Sequence, residues 1–404
     1  MKILIISPGD LPVPAVKGGA VEALIESLII QNERKKEFDL TVVSKYNKQA
    51  LEESKKYSNT SFLYIKEPCI CTIIDKMYEF FYSMILRKPH NILKKYAWKI
   101  YVVEKTKKFV RKNEFDRVVM ENAGYLLKIL NDENLSQKYK NKLFYHLHND
   151  VPKGISKSNI EKCKILAVSS YLNNQLIQYY GEEIKKNVYI LKNGFDTTMY
   201  TSQISEEEKK EIREKLEIDK DKRIIIYAGR INEAKGIKQL VDAFETIKNR
   251  ENCVLMIVGA HNFGEKQYCP FERNIIKKID NMGEQAKFTG FINHAEIWKY
   301  YKISSVAVLP SMWEEPAGLT MIEAAAAGIP VITTKSGGIP EYMNEDLAIL
   351  LEKNEKIVDS IANSIDEVLE NKGIWKLKAQ KMQREIVEQF NEEKYFDNFS
   401  KIIK

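Results

Sequence analysis

The sequence predicts an α/β protein of two doubly wound domains facing a cleft. Three observations predict it. Short apolar strands alternate with helical stretches from the first residues, which is the pattern of a parallel sheet with crossover helices. Near residue 200 that alternation gives way to a charged helical stretch, and then it restarts. The 404 residues suit two or three domains of about 150 residues each.

The elements follow in order. KILIIS (2–7) is the first strand and Pro8 stops it. The loop GDLPVPAVKGGA leads into a helix over about 21–31, and LTVVS (40–44) is the next strand. FDRVVM (115–120), KLFYHL (142–147), KILAVSS (164–170) and NVYILKN (187–193) continue the series, and Gly194 ends the last of them. Residues 197–222 read as charged and mostly helical. The second series is RIIIYAG (223–229), CVLMIVGA (253–260), KFTGF (287–291), VAVLPS (306–311), PVITT (330–334) and LAILL (347–351). The last forty residues are helical. Met382, Ile386, Val387 and Phe390 form an apolar stripe that Tyr395, Phe396 and Phe399 continue past Asn391. Ligands of such sheets bind beyond the strand carboxyl ends, so the cleft between two sheets is the expected site.

Composition excludes several classes. Hydrophobic residues at 44% and charged residues at 29% are a globular balance, not that of a disordered tail. No stretch approaches the roughly 18 apolar residues of a membrane span, and MKILIIS is too short for a signal-peptide core. The five cysteines are odd in number, and only Cys69 and Cys71 lie close, so neither a disulfide framework nor a zinc site is expected. The reading is of reduced thiols in a cytoplasmic protein.

The net charge of +7 is concentrated. Residues 66–112 carry +8 and the rest of the chain −1. The same segment holds Tyr78, Phe80, Phe81, Tyr82, Tyr96, Trp98, Tyr101 and Phe109. Basic residues among aromatics suit an anionic lipid surface, and equally single-stranded nucleic acid. Aromatic positions 77–85 and 93–103 also repeat at helical spacing, which suits a helical core with solvated lysines.

The most informative stretch is LPSMWEEPAGLTMIEAAAAGIPVITTKSGGIPE (309–341). A strand ends at Pro310, a loop follows, and a helix of high propensity starts near Leu319. Gly328 is placed to cap it and Pro330 opens the next strand. The amides of Gly318, Leu319 and Thr320 then lie at a helix N-terminus, an anion site. Glu315 and Glu323 bracket that site. Carboxylates suit hydroxyl-rich groups beside a phosphate, as in a nucleotide sugar, and equally an acidic pairing with the helix dipole. AGRINEAKG (228–236) offers Arg230 and Lys235 at another strand end, cations suited to a diphosphate, although it is not a P-loop. In the first half, Gly18 and Gly19 precede a helix, and His148 lies in the loop after the strand that carries His146.

These residues resemble glycosyltransferase family 4, the retaining GT-B enzymes that use nucleotide sugars. The resemblance runs nearly end to end: the opening strand with its GG loop, the His148 loop, AVSSYL, NGFDTTMY, YAGRINEAKGIKQLVDAF, and the E-x7-E signature from Glu315 to Glu323 followed by EAAAAGIPVI. It implies two Rossmann-like domains, 1–196 for the acceptor and 197–380 for the nucleotide sugar, with the helices of 381–404 crossing back to the first. Arg230 and Lys235 would hold the donor diphosphate as leaving group, Glu323 the ribose hydroxyls and Glu315 hydroxyls of the transferred sugar. Gly318, Leu319 and Thr320 would supply amides, Gly18 and Gly19 the approach to the phosphates from the first domain, and His148 a place near sugar and acceptor. The backbone at Phe291 and Ile292 would frame the base. Where many members read E-G-F-G, this chain has Ala317 in place of the aromatic, so its sugar pocket is expected to differ.

The expected activity is metal-independent hexosyl transfer from a UDP-linked sugar, with no cofactor, to a glycan or lipid-linked acceptor of polysaccharide or cell-envelope biosynthesis. The only Asp-x-Asp, Asp219-Lys220-Asp221, precedes a strand instead of following one. The expected place is cytoplasmic, peripheral on the inner membrane face if 66–112 docks there, with no nucleic-acid partner. The competing readings are a sugar-nucleotide epimerase of the same fold and a basic nucleic-acid binder.

Overall fold

The computed structural model describes residues 1–86, 95–152, 154–260 and 269–404, with side chains only to residue 80 in the first stretch. Residues 87–94 of the basic segment, and the side chains of Phe81 and Tyr82, lie outside that description. Contacts divide the chain into two compact units, Met1–Lys192 with Tyr395–Lys404, and Asn193–Lys394.

In the first unit, seven parallel strands run in the order β3-β2-β1-β4-β5-β6-β7. They are β1 (Lys2–Ile6), β2 (Asp39–Lys45), β3 (Thr60–Ile65), β4 (Arg117–Glu121), β5 (Leu143–Leu147), β6 (Lys164–Ala167) and β7 (Val188–Ile190). Ile3 to Ile6 are wholly buried, as a central strand covered on both faces requires. The sequence reading did not anticipate β3. It is an edge strand, half-buried through its middle, so its apolar pattern is weak. The expected strand 164–170 stops at Ala167 because Ser169 instead caps the helix Ser170–Tyr180, its Oγ accepting the Leu172 amide at 3.4 Å.

The second unit has six parallel strands in the order β10-β9-β8-β11-β12-β13. They are β8 (Arg223–Ala228), β9 (Cys253–Val258), β10 (Ala286–Gly290), β11 (Val306–Leu309), β12 (Val331–Thr334) and β13 (Ile349–Leu351). Strand order reverses between β1 and β4 in one sheet and between β8 and β11 in the other. Loops leaving those strands diverge there and open a crevice at each sheet's carboxyl edge.

The chain end is shared. The helix Lys372–Gln389 stays with the second unit, where Gln383 donates to the Ala326 carbonyl at 2.6 Å. Only Tyr395–Lys404 joins the first unit, in place of the whole stretch 381–404. Phe396, Phe399 and Ile403 pack there with Phe38, Ile25 and Ile29. Arg117 donates to the carbonyls of Ile403 and Lys404 at 2.7 and 2.9 Å, which satisfies two acceptors at that helix end.

Candidate functional site

In the second unit the loops after β8, β9 and β10 are tied by their backbones. The Gly229 amide donates to Val258 O at 3.0 Å, and the Gly259 amide to Gly290 O at 2.9 Å. A Cβ on Gly259 would lie 2.0 Å from Gly229 O, so only glycine allows this approach. Arg230 leaves the end of β8 exposed, its carbonyl accepting the Tyr227 hydroxyl at 2.8 Å. Asn232 caps the next turn by accepting the Lys235 amide at 3.1 Å. Gly236 then takes φ 70°, and a Cβ there would stand 1.9 Å from Pro310 O, which presses the β8 loop onto the β11 loop.

That contact brings Lys235 to Glu315. The ammonium pairs with Glu315 Oε1, which also accepts the Ser311 hydroxyl at 2.9 Å, and Glu315 is buried. Lys235 Nζ lies 5.7 Å from the Trp313 ring centroid. The Glu315 backbone is held in turn, since Gly338 donates to its carbonyl at 2.7 Å. Gly318, at φ 77°, opens the helix Leu319–Ala326 without a side-chain cap bond. Its first amides therefore face outward with the positive end of the helix dipole. Ala317 is buried beside them.

Glu323, also buried, accepts from His294 Nε2 at 2.9 Å, and Tyr200 OH lies 3.4 Å from the same nitrogen. The Glu323 charge raises the pKa of His294. His294 opens the helix His294–Lys302 and its side chain is 61% exposed, so a ligand can compete for Glu323 from solvent. Phe291 is exposed and Ile292 half-buried in the loop just before that helix. Sequence reasoning assigned no role to His294, Tyr200 and Trp313; Tyr200 and Trp313 lie inside quoted motifs, but their partners come from elements distant in sequence.

In the first unit, Gly18 and Gly19 take φ 76° and 102° and precede the helix Ala20–Lys35. The buried Glu22 folds back on this turn. A Cβ on Gly19 would lie 2.2 Å from its Oε2, so a carboxylate already stands where an anion was expected. Burial first, and then the nearby charges of Asp10 and Glu121, raise the pKa of Glu22 to about 7.

His148 is buried after β5, and its Nε2 lies 2.9 Å from Glu121 Oε2. His146 Nδ1 lies 3.1 Å from the same oxygen, and the two rings stand 3.9 Å apart. Burial works to raise the Glu121 pKa, but the two imidazoles prevail and bring it to about 2. These three residues offer one ligand atom each within 4.8 Å, the geometry among the described residues that could hold a metal ion. In this structure the two histidine nitrogens both face the Glu121 carboxylate. Glu121 sits at the end of a hydrophobic strand, where the sequence shows no pattern linking it to a histidine 27 residues on.

Residues 208–390, within the second unit, match the family model described as glycosyl transferases group 1. An uncharacterized glycosyltransferase of Methanocaldococcus jannaschii is 28% identical over 60% of this chain and 59% of its own length. A lipopolysaccharide 1,2-N-acetylglucosaminetransferase of Salmonella typhimurium is 27% identical over 63% of this chain and 64% of its own. The chain thus spans under two thirds of the length of both relatives. The crystal structure of Anabaena HepE in complex with UDP and glucose covers 100% of this chain and 99% of its own, with a TM-score of 0.72 at 20% identity. The chain therefore has the fold of two Rossmann-like domains seen in GT-B proteins, and its second unit is similar to glycosyl transferases group 1.

Proposed function

We propose that the protein is a retaining, metal-independent glycosyltransferase that moves a hexosyl group from a UDP-linked sugar to a glycan or glycolipid acceptor of polysaccharide or cell-envelope biosynthesis. The observation that carries this reading is the Lys235–Glu315 pair beside the uncapped helix start at Gly318, at the switch point of the second sheet. The group 1 match over this unit and the glycan-related relatives support it.

In this reading Lys235 and Arg230 bind the diphosphate with the amides of Gly318, Leu319 and Thr320, and Glu315 accepts hydroxyls of the departing sugar. Cleavage builds positive charge on the sugar and negative charge on the leaving oxygen. Donors fixed before the reaction stabilise that oxygen without reorganising. The acceptor attacks from the leaving-group side and gives its proton to a phosphate oxygen. Glu323 holds the ribose once His294 shares or releases it, and the backbone at Phe291 and Ile292 frames the base. His148 approaches the acceptor.

Thermal shift tests the donor. UDP is expected to stabilise the protein by about 2.7 kcal/mol at a hundredfold excess over its Kd, and more than GDP or ADP at the same concentration. Arg230→Ala and Glu323→Ala both weaken that shift. An unchanged shift in both would show that the nucleotide lies elsewhere.

The basic segment supports an anionic membrane as a partner surface. Ile70, Ile73, Met77 and Phe80 repeat along one face of the helix Cys69–Leu86, and each is more than half exposed. Trp98 is wholly buried and donates to Gly9 O at 2.9 Å, so the aromatics divide between core and surface. Among the described residues no helix is long and apolar enough to cross a membrane. Flotation with phosphatidylglycerol vesicles should carry the protein upward. Met77→Ser with Phe80→Ser should abolish this, as should Lys95→Ser with Lys99→Ser and Lys108→Ser at raised salt. A parent protein that stays at the bottom rules the surface out.

A further inference from the structure

The loop after β5 holds its histidine by two adjacent residues of β4 and its exit. Glu121, 1% exposed, takes the ring, and Asn122 takes the backbone. Asn122 Oδ1 accepts the amides of His148 and Asn149 at 3.0 and 3.1 Å, from a left-handed conformation at φ 46°. His146 is paired directly across the ladder from Glu121, which fixes the carboxylate between the two rings. An ionised carboxylate only accepts hydrogen bonds, so each imidazole nitrogen facing it must carry a proton.

We propose that Glu121 is a positioning residue, which holds His148 as the Nε2–H tautomer and leaves Nδ1 as the acceptor nitrogen of that ring, while it holds His146 as the Nδ1–H tautomer. The assignment deepens the glycosyl-transfer reading. It means that the Nε2–H of His148 is committed to Glu121 and is not offered to a substrate. A carboxylate that fixes an imidazole's tautomer and angle is the arrangement by which orienting acids act in proton-handling sites. His146 serves as the brace on the opposite side. Its Nε2 is buried without a hydrogen-bond partner among the described residues, so it has no competing hold on the ring.

The test uses the full chain labelled with 15N at its five histidines. Long-range 15N–1H correlation at pH 8 should show His148 protonated at Nε2 and His146 at Nδ1, with the His148 signals assigned by their loss in His148→Asn. In Glu121→Ala both rings should lose their single tautomer. The same variant should lose roughly a hundredfold in kcat with the donor KM unchanged, and Glu121→Gln, which keeps an acceptor oxygen, should recover part of it. An Nδ1–H tautomer at His148, or an unchanged kcat in Glu121→Ala, overturns the assignment. So does a stoichiometric shift of both rings on adding Zn²⁺ to protein purified with a chelator, which would make the trio a metal site. A wild-type protein that transfers no sugar from any nucleotide donor defeats the glycosyl-transfer reading, while the tautomer spectrum still decides the role of Glu121.

Discussion

Lys235→Ala should lower kcat/KM for the sugar donor by about a hundred- to a thousandfold, the effect of removing a preorganised charge from a developing anion. The variant also loses stability for a separate reason. Lys235 pairs with a carboxylate whose side chain is only 6% exposed and whose other hydrogen bond is to Ser311. Taking one partner from a buried pair strands the other charge and costs about 3–5 kcal/mol. Adding Glu315→Gln to Lys235→Ala separates the two effects, because it removes the stranded carboxylate without restoring the cation. The double variant Lys235→Ala with Glu315→Gln should therefore regain most of the lost Tm and none of the lost turnover. UDP release followed beside a thermal melt reads both. Turnover in Lys235→Ala within tenfold of the parent would mean that the ammonium serves Glu315 alone.

The sequence was informative where function rests on contiguous residues. The helix opening at Leu319, its glycine cap and the turn at Lys235 are local features, and each depends on propensity, capping or a glycine at positive φ. The strands of both sheets were readable for the same reason, since buried parallel strands are continuous apolar runs. What was not readable depends on which strands become neighbours. Glu121 meets His146 and His148 only because β4 and β5 pair in one register. Glu323 meets His294 only because the β10 exit and the helix Leu319–Ala326 share one face of the crevice. The edge strand β3 escaped because half-burial blurs its period. A sheet thus advertises its backbone in sequence and conceals the side-chain partnerships at its carboxyl edge.

Glu22→Gln should stabilise the first unit above neutral pH and leave it unchanged in mild acid. Glu22 is buried against the Gly19 turn, and burial, Asp10 and Glu121 together raise its pKa from 4.5 to about 7. Below pH 4.5 the folded and unfolded chains both keep the proton, so the carboxyl carries no penalty. As pH rises from there to 7, the unfolded chain ionises first and folding loses stability. Above 7 the folded chain holds a buried charge, and the loss levels off at roughly 3 kcal/mol. For a unit of this size that corresponds to roughly 6–12 °C in Tm. Glutamine keeps the shape and removes the titration, so the difference between variant and parent should be near zero at pH 4.5 and full at pH 8. Glu121 behaves oppositely: its pKa of about 2 gives stability that is present above 4.5 and lost as pH falls toward 2. Both proteins carry Glu121, and in the folded chain it stays ionised across the range from pH 4.5 to 8, so it does not create the pH dependence of the difference. Melting curves at four pH values between 4.5 and 8 check this, and a difference that does not grow across that range would mean that Glu22 is ionised and solvated in the folded chain.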